Sequence, residues 1–293
     1  MSVVLHLSDT HFGTEQPAVV EALVALAARQ RPDLVILSGD ITQRARPAQF
    51  RAAKAFVDRL GAPVLAIPGN HDIALFDLWA RIVRPYAGFA AAFGADLAPV
   101  HVSPDLFVVG VNTTRARRHK HGEVSPSQRE HVARLLATAS DRQLRVVVAH
   151  HPAAVPRADE RPNLLRGHAT ATRLWAAAGA DLVLGGHIHL PFVLPLDGLA
   201  RRLWVVQAGT AVSTRTRPGV PNSVNLLRWG QAATALDAGE DPAQTGPDSG
   251  LHCRIERWDF GSSEQAFRPA SVSFIEPERA SRYLENSSIH SRL

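Results

Sequence analysis

The sequence predicts an α/β fold that closes with a strand-rich end, and three observations predict it. Short apolar runs alternate with segments of helical period through the first two-thirds of the 293-residue chain. From about residue 203 the runs follow one another with little helix between them. Each of five early runs also stops at residues able to bind a metal or move a proton.

Taken in order, Val3 to Leu7 reads as a short buried strand ended by Ser8-Asp9-Thr10-His11-Phe12-Gly13. Pro17 opens a helix with Val19, Leu23 and Leu26 on one face. Leu34 to Leu37 is the second strand and ends at Ser38-Gly39-Asp40; Pro47 then opens a helix carrying Phe50, Ala53, Val57 and Leu60 at helical spacing. The third strand, Pro63 to Ile67, runs into Pro68-Gly69-Asn70-His71-Asp72, where a glycine permits a sharp turn before an amide, an imidazole and a carboxylate. Residues 74–98 read as a helical local subregion rich in Ala and aromatics.

Leu106 to Val111 is a further strand, followed by an exposed basic loop, Arg115 to His121. Ser125 to Gln128 reads as a capping box for a helix that turns Val132, Leu135, Leu136 and Ala139 inward. Val146 to Ala149 ends at His150-His151-Pro152; a helix near 169–178 stops at Gly179; Leu182 to Leu184 ends at Gly185-Gly186-His187-Ile188-His189. Strands follow at Leu203 to Gln207, Val224 to Arg228, Leu251 to Trp258 and Ser271 to Ile275, with a turn-rich hairpin loop at 237–250 and a polar tail over 277–293. Residues 1–276 are expected to form a single domain, with a ligand-bearing αβ part at 1–215 and a strand-rich part at 203–276.

Composition bounds the function. Hydrophobic residues make up 45% and charged residues 20%, ordinary values for a soluble globular protein. No apolar window approaches the ~18 residues of a membrane span, and the N-terminus lacks the basic start of a signal peptide. Cys253 is the single cysteine, which excludes an internal disulfide and a thiolate zinc site. These features place the expected location in the cytoplasm. The net charge of +5 comes almost wholly from scattered Arg, so nucleic acid is not the favoured partner; a homo-oligomer is left open.

Strands alternating with helices imply parallel pairing and right-handed crossovers, and the carboxyl ends of such strands line one crevice. Asp9, His11, Asp40, Asn70, His71, Asp72, His150, His187 and His189 would therefore converge. Carboxylate, imidazole and amide oxygen without thiolate suit Mn, Fe, Zn or Co. There are more ligands than one ion needs, which argues for two ions sharing a carboxylate. Two metals about 3.5–4 Å apart can clamp the oxygens of a phosphoester.

Asp9-x-His11, Gly39-Asp40, Gly69-Asn70-His71-Asp72, His150 and Gly186-His187-x-His189 resemble, in order, the motifs of the calcineurin-like metallophosphoesterases, over roughly residues 3–215. Ser8 to Gly13, the Gly-Asn-His-Asp box and His150-His151-Pro152 look most like the class III cyclic nucleotide phosphodiesterase branch. The resemblance implies a four-layer sandwich of two mixed β-sheets flanked by helices. It implies that Asp9, His11, Asp40 and His189 hold one metal, that Asp40 bridges, and that Asn70, His150 and His187 complete the second. His71 would act as general acid or position the phosphate, with Asp72 orienting its ring, while a metal-bridging hydroxide attacks in line. The substrate would be a small phosphodiester, with a 3′,5′-cyclic nucleotide among the candidates. Phosphomonoesters, phospholipid headgroups or nucleic acid remain alternatives on the same site, as does a non-catalytic metal-binding scaffold.

Outside the motifs, Asn112, His151, Arg215 and Arg217 are candidate substrate contacts, since each follows a strand end facing the same crevice or offers a guanidinium to phosphate. Cys253 reads as a small buried hydrophobe.

Overall fold

The structure is a computed structural model that describes residues 1–74, 78–118, 120–231 and 250–279. Its elements in chain order are β1 (Ser2–Leu7), α1 (Pro17–Gln30), β2 (Leu34–Leu37), α2 (Pro47–Asp58), β3 (Val64–Ala66), α3 (Leu78–Val83), α4 (Ala87–Phe93), β4 (Val100–Val102), β5 (Leu106–Val111), α5 (Pro126–Leu136), β6 (Leu144–Ala149), α6 (His168–Ala177), β7 (Leu182–Gly185), β8 (Phe192–Leu196), β9 (Leu203–Gln207), β10 (Ser223–Gln231), β11 (Leu251–Gly261) and β12 (Ala266–Ile275). Short 3-10 turns cover Asn70–Asp72 and Ala158–Asn163.

The strands form two six-stranded mixed sheets, ordered β12-β11-β10-β1-β2-β3 and β4-β5-β6-β7-β9-β8. In the first, β1, β2 and β3 run parallel, with Leu7 beside Leu37 and Leu37 beside Ala66. In the second, β5, β6, β7 and β9 run parallel, with Val111 beside Ala149 and Val148 beside Leu184. Level registers bring the residues after each strand out on a common edge. The strand-rich end adds β10 antiparallel to β1, so it continues the first sheet.

Side chains alternate along each strand and sort into layers. Val4, Ile36, Val108, Val146, Val148 and Leu184 face the opposite sheet and share a core with Trp229, Cys253 and Ile255. Leu5, Leu7 and Leu37 point the other way, onto Leu23 and Leu26 of α1 and Phe50 and Val57 of α2. Val147, Val183 and Val205 pack on Val132 and Leu136 of α5 and on Trp175 of α6. The result is helix, sheet, sheet, helix. Burying each such side chain is worth roughly 1.5–3 kcal/mol.

Local chemistry sets the helix ends. Pro sits at the start of α1, α2 and α5, and Ser125 accepts from the Gln128 N–H at 3.2 Å while the Gln128 side chain accepts from the Ser125 N–H at 3.0 Å. The 74–98 region resolves into α3 and α4, separated at Arg84-Pro85, because proline supplies no N–H to a continuing helix. Two strands escape the sequence reading. β4 is a short edge strand, and β8 carries Pro195, which weakens its signal.

The hairpin loop expected at 237–250 lies outside the described residues apart from Gly250, as does the expected tail from 280 onward. The first residues of that tail bond to the second sheet. Arg279 donates to both carboxylate oxygens of Asp181, at 2.7 and 3.0 Å, and to the Asp141 carbonyl at 2.7 Å. Among the described residues, no helix is long and apolar enough to cross a membrane.

Candidate metal centre

The parallel strands of both sheets deliver their terminal loops to one place. Asp9 and His11 follow β1, Asp40 follows β2, Asn70 and His71 follow β3, His150 follows β6, and His187 and His189 follow β7. The backbone there is unusual. Asp9, His11, Asp40, His187 and His189 all have positive φ, between 41° and 72°, in the left-handed region that non-glycine residues rarely occupy. Such strain costs on the order of 1–3 kcal/mol per residue and persists where the surroundings over-determine it. Close approach also demands glycine. A Cβ on Gly69 would fall 2.0 Å from the Asp40 backbone nitrogen, and one on Gly39 would fall 2.6 Å from His150 Nδ1.

Two clusters result. In the first, His189 Nε2 lies 3.3 Å from Asp9 Oδ1 and 3.3 Å from His11 Nε2. In the second, His150 Nε2 lies 3.2 Å from Asp40 Oδ1 and 3.3 Å from Asn70 Oδ1, with His187 close by. Asp40 joins them, since its other oxygen, Oδ2, faces His11 Nε2 at 3.8 Å. Two of the four rings are held from behind: His150 Nδ1 donates to the Ser38 carbonyl at 2.8 Å, and His189 Nδ1 faces Thr210 Oγ1 and the Arg215 carbonyl. That fixes the tautomers and turns each Nε2 lone pair inward.

Burial raises the Asp9 carboxyl, but His189 outweighs it and holds the group well below the usual carboxylate range. Burial likewise works against Asp40, and His150 overrides it downward. Burial pushes His11 and His187 down to about 3, so both rings are neutral at pH 7. His150 runs the other way: burial lowers it, yet the Asp40 carboxylate raises it to about 9. Charged carboxylates and the neutral His11 and His187 rings suit a cation, which would displace the proton that Asp40 favours on His150. Asp9 Oδ1 is buried without a hydrogen-bond partner while facing His189 and His11, so the converging donors fit a pair of divalent cations sharing Asp40.

His71 sits above this centre. Its ring lies edge-on to His11 with centroids 4.8 Å apart, Nδ1 donates to the Gln43 carbonyl at 2.9 Å, and Nε2 faces Arg215 Nη1 at 3.4 Å. The expected pairing of Asp72 with the His71 ring is not what the structure shows. Asp72 turns back into its own loop, accepting from the Gly69, Ile41 and Thr42 N–H groups at 2.8, 3.0 and 2.8 Å and from the Thr42 hydroxyl at 2.9 Å. It clamps the loop that presents Asn70 to the one that presents Asp40, and Gln43 orients His71 instead.

The substrate candidates divide. Arg215 and Arg217 line a recess beside His187 and His189. His151 is buried, with Nδ1 against Thr113 Oγ1 at 2.8 Å and Nε2 donating to the Lys120 carbonyl at 3.1 Å, so it anchors the basic loop and is not open to substrate. Asn112 spends its side-chain oxygen on the Thr114 N–H and hydroxyl at 2.9 and 2.6 Å. Sequence reasoning missed Asn163, which lines the same recess, and Glu160, which bonds Arg217 and Asn163 from behind it: both lie in a short 3-10 turn with no motif around them.

Residues 2–191 match the family model described as calcineurin-like phosphoesterase. A cAMP/cGMP dual specificity phosphodiesterase of Mycobacterium tuberculosis is 28% identical over 203 residues, 64% of this chain and 61% of that protein, so the match spans less than two-thirds of the relative's length. The 3′,5′-cyclic adenosine monophosphate phosphodiesterase CpdA of Escherichia coli is 27% identical over 68% of this chain and 73% of its own. In fold, a dimetal phosphatase from Danio rerio superposes with a TM-score of 0.62 at 13% identity, over 94% of this chain and 99% of that one.

Proposed function

This chain belongs to the calcineurin-like phosphoesterase family, and from that premise we propose that it is a two-metal phosphodiesterase acting on a small phosphodiester, with a 3′,5′-cyclic nucleotide as the leading substrate. The observation that carries the reading is Asp40, one carboxylate facing two His/Asp clusters, with His71 and Arg215 poised beside it. The substrate class draws support from relatives named as cyclic nucleotide phosphodiesterases.

Asp9, His11, Asp40 and His189 would hold one cation, and Asp40, Asn70, His150 and His187 the other. The oxygen and nitrogen donors suit Mn, Fe, Zn or Co. When bound, such a pair activates water and neutralises charge on phosphoryl oxygens. The chain's own residues do the rest. Arg215 binds a non-bridging oxygen of the phosphate, which releases His71 Nε2 to face the departing oxygen. The ring is held for that task by its Nδ1 bond to Gln43; once Arg215 has turned to the phosphate, Nε2 takes up a proton from water and hands it to the leaving group, returning to the neutral ring. Asp72 keeps the Gly69 loop and the Asp40 loop in register so that Asn70 and His71 stay aimed at the same point.

The test is metal content of protein purified without added metal, followed by hydrolysis of cAMP, cGMP, a glycerophosphodiester, bis-p-nitrophenyl phosphate and p-nitrophenyl phosphate. The expected result is metal-dependent cleavage with diesters ahead of the monoester. A monoester preference with every metal tried would overturn it.

A further inference from the structure

The recess next to the metal centre has a charge pattern that a simple monoanionic diester does not need. It measures about 330 Å³, opens beside His187 and His189, and is lined by Lys120, Arg215 and Arg217 with no carboxylate among its lining residues. Arg215 leans toward His71 and serves the reacting phosphate. Lys120 and Arg217 remain for something else.

Arg217 is held by its side chain and Lys120 by its backbone. Arg217 donates through Nε to the Ile188 carbonyl and through Nη1 to Glu160, which is buried; its Nη2 has no partner among the described residues. Glu160 uses its second oxygen on Asn163 Nδ2 at 2.7 Å, so a single carboxylate sets one cation and one amide of the recess. Lys120 is exposed, and its ammonium has no partner among the described residues, but its carbonyl accepts from His151 Nε2 at 3.1 Å. His151 adjoins the proposed ligand His150, so the loop bearing Lys120 is tied to the metal centre itself. One cation fixed by side-chain bonds and a second on an anchored backbone, its ammonium without a counter-ion, line a small open recess and favour an anion there.

We propose that this recess is a second anion subsite, which takes a phosphate or carboxylate on the non-reacting half of the diester. The inference rests on the phosphodiesterase reading of the adjoining centre and narrows it: a plain 3′,5′-cyclic nucleotide carries no second anion, so the subsite favours diesters with a further charge over cAMP and cGMP. His151 is a positioning residue for Lys120.

The test compares thymidine 5′-(p-nitrophenyl phosphate) with the same diester carrying a 3′-phosphate, on the manganese-loaded enzyme. The leaving group is identical, so the ratio of kcat/KM values reads the second charge alone. The expected ratio is about tenfold or more in favour of the 3′-phosphorylated diester, the scale of one charge-assisted hydrogen bond. In Lys120→Ala the ratio falls toward one, and Lys120→Arg keeps most of it. A wild-type ratio of one or below, or a full ratio in Lys120→Ala, overturns the subsite. Hydrolysis of neither diester would instead sink the phosphodiesterase reading. The subsite is then decided by calorimetry of thymidine 3′,5′-bisphosphate against thymidine 5′-phosphate: a tenfold preference lost in Lys120→Ala supports it, and equal affinities overturn it.

Discussion

Arg215 Nη1 lies 3.4 Å from His71 Nε2 and 3.1 Å from Gln43 Oε1, bridging the two loops that follow β2 and β3 from a third that follows β9. His71 Nδ1 donates to the Gln43 carbonyl, which leaves Nε2 turned toward the N–H of the guanidinium. Phosphate oxygens compete well for a guanidinium. Arg215→Ala is therefore expected to lower kcat/KM on a diester about ten- to a hundredfold, from the loss of roughly 1.5–3 kcal/mol of charged hydrogen bonding, with Arg215→Lys intermediate. Steady-state kinetics checks this, and unchanged constants would remove Arg215 from the substrate site.

His71→Ala is expected to lower kcat by about 10²–10⁴-fold, the range for loss of a general acid. Metal content measured on the same preparation decides between two roles. His71 lies near enough to His11 and Asp40 to form a third potential ligand group. Retained metal with lost turnover supports proton transfer to the leaving oxygen, whereas loss of one metal equivalent would make His71 a ligand.

Asp40 faces both clusters, so its removal should weaken both cations at once. Cations that bind only the folded state stabilise it by about 2.7 kcal/mol at a hundred times their Kd. Wild-type protein stripped with chelator should gain Tm on adding Mn²⁺, and Asp40→Ala should gain little or none. An equal rise in the variant would show that the cations sit elsewhere.

Much of this centre is written in order along the chain, because each candidate ligand lies within a few residues of a strand end and parallel strands deliver their ends to one edge. Asp9, Asp40, His150 and His187 are legible for that reason. The sequence carries no mark of their strained backbone, since positive φ at Asp and His arises only once the surrounding loops are packed. Nor does it separate residues that touch substrate from those that hold the frame. Asp72 and His151 adjoin catalytic candidates in the chain, yet both side chains are buried and fully engaged with loops. Asn163 reaches the recess, and Glu160 the Arg217 that lines it, through tertiary packing from a segment with no periodic or motif signal.

Away from the centre, His6 supplies a pH test of folding. Its ring is buried between the sheets, with Nε2 against Ser38 Oγ at 2.9 Å and Nδ1 facing Asn225 Nδ2 at 3.4 Å. Burial pushes its pKa down to about 3, against the opposing pull of the Asp9 charge. The unfolded chain protonates the same group near 6.5, so below that pH the unfolded state binds a proton that the folded state refuses. Stability is then expected to fall as pH drops from about 6.5 toward 3, by up to about 1.4 kcal/mol per pH unit from this residue. His11 and His187 add to the wild-type slope in metal-free protein, so the comparison needs a variant. His6→Gln keeps a polar group near Ser38 and removes the titration. Urea unfolding of stripped protein from pH 8 to 4 should show the variant less stable at pH 8 but with a shallower acid slope, by about one proton. Parallel curves would mean that His6 takes up a proton in the folded state, and that its buried contacts rearrange to admit one.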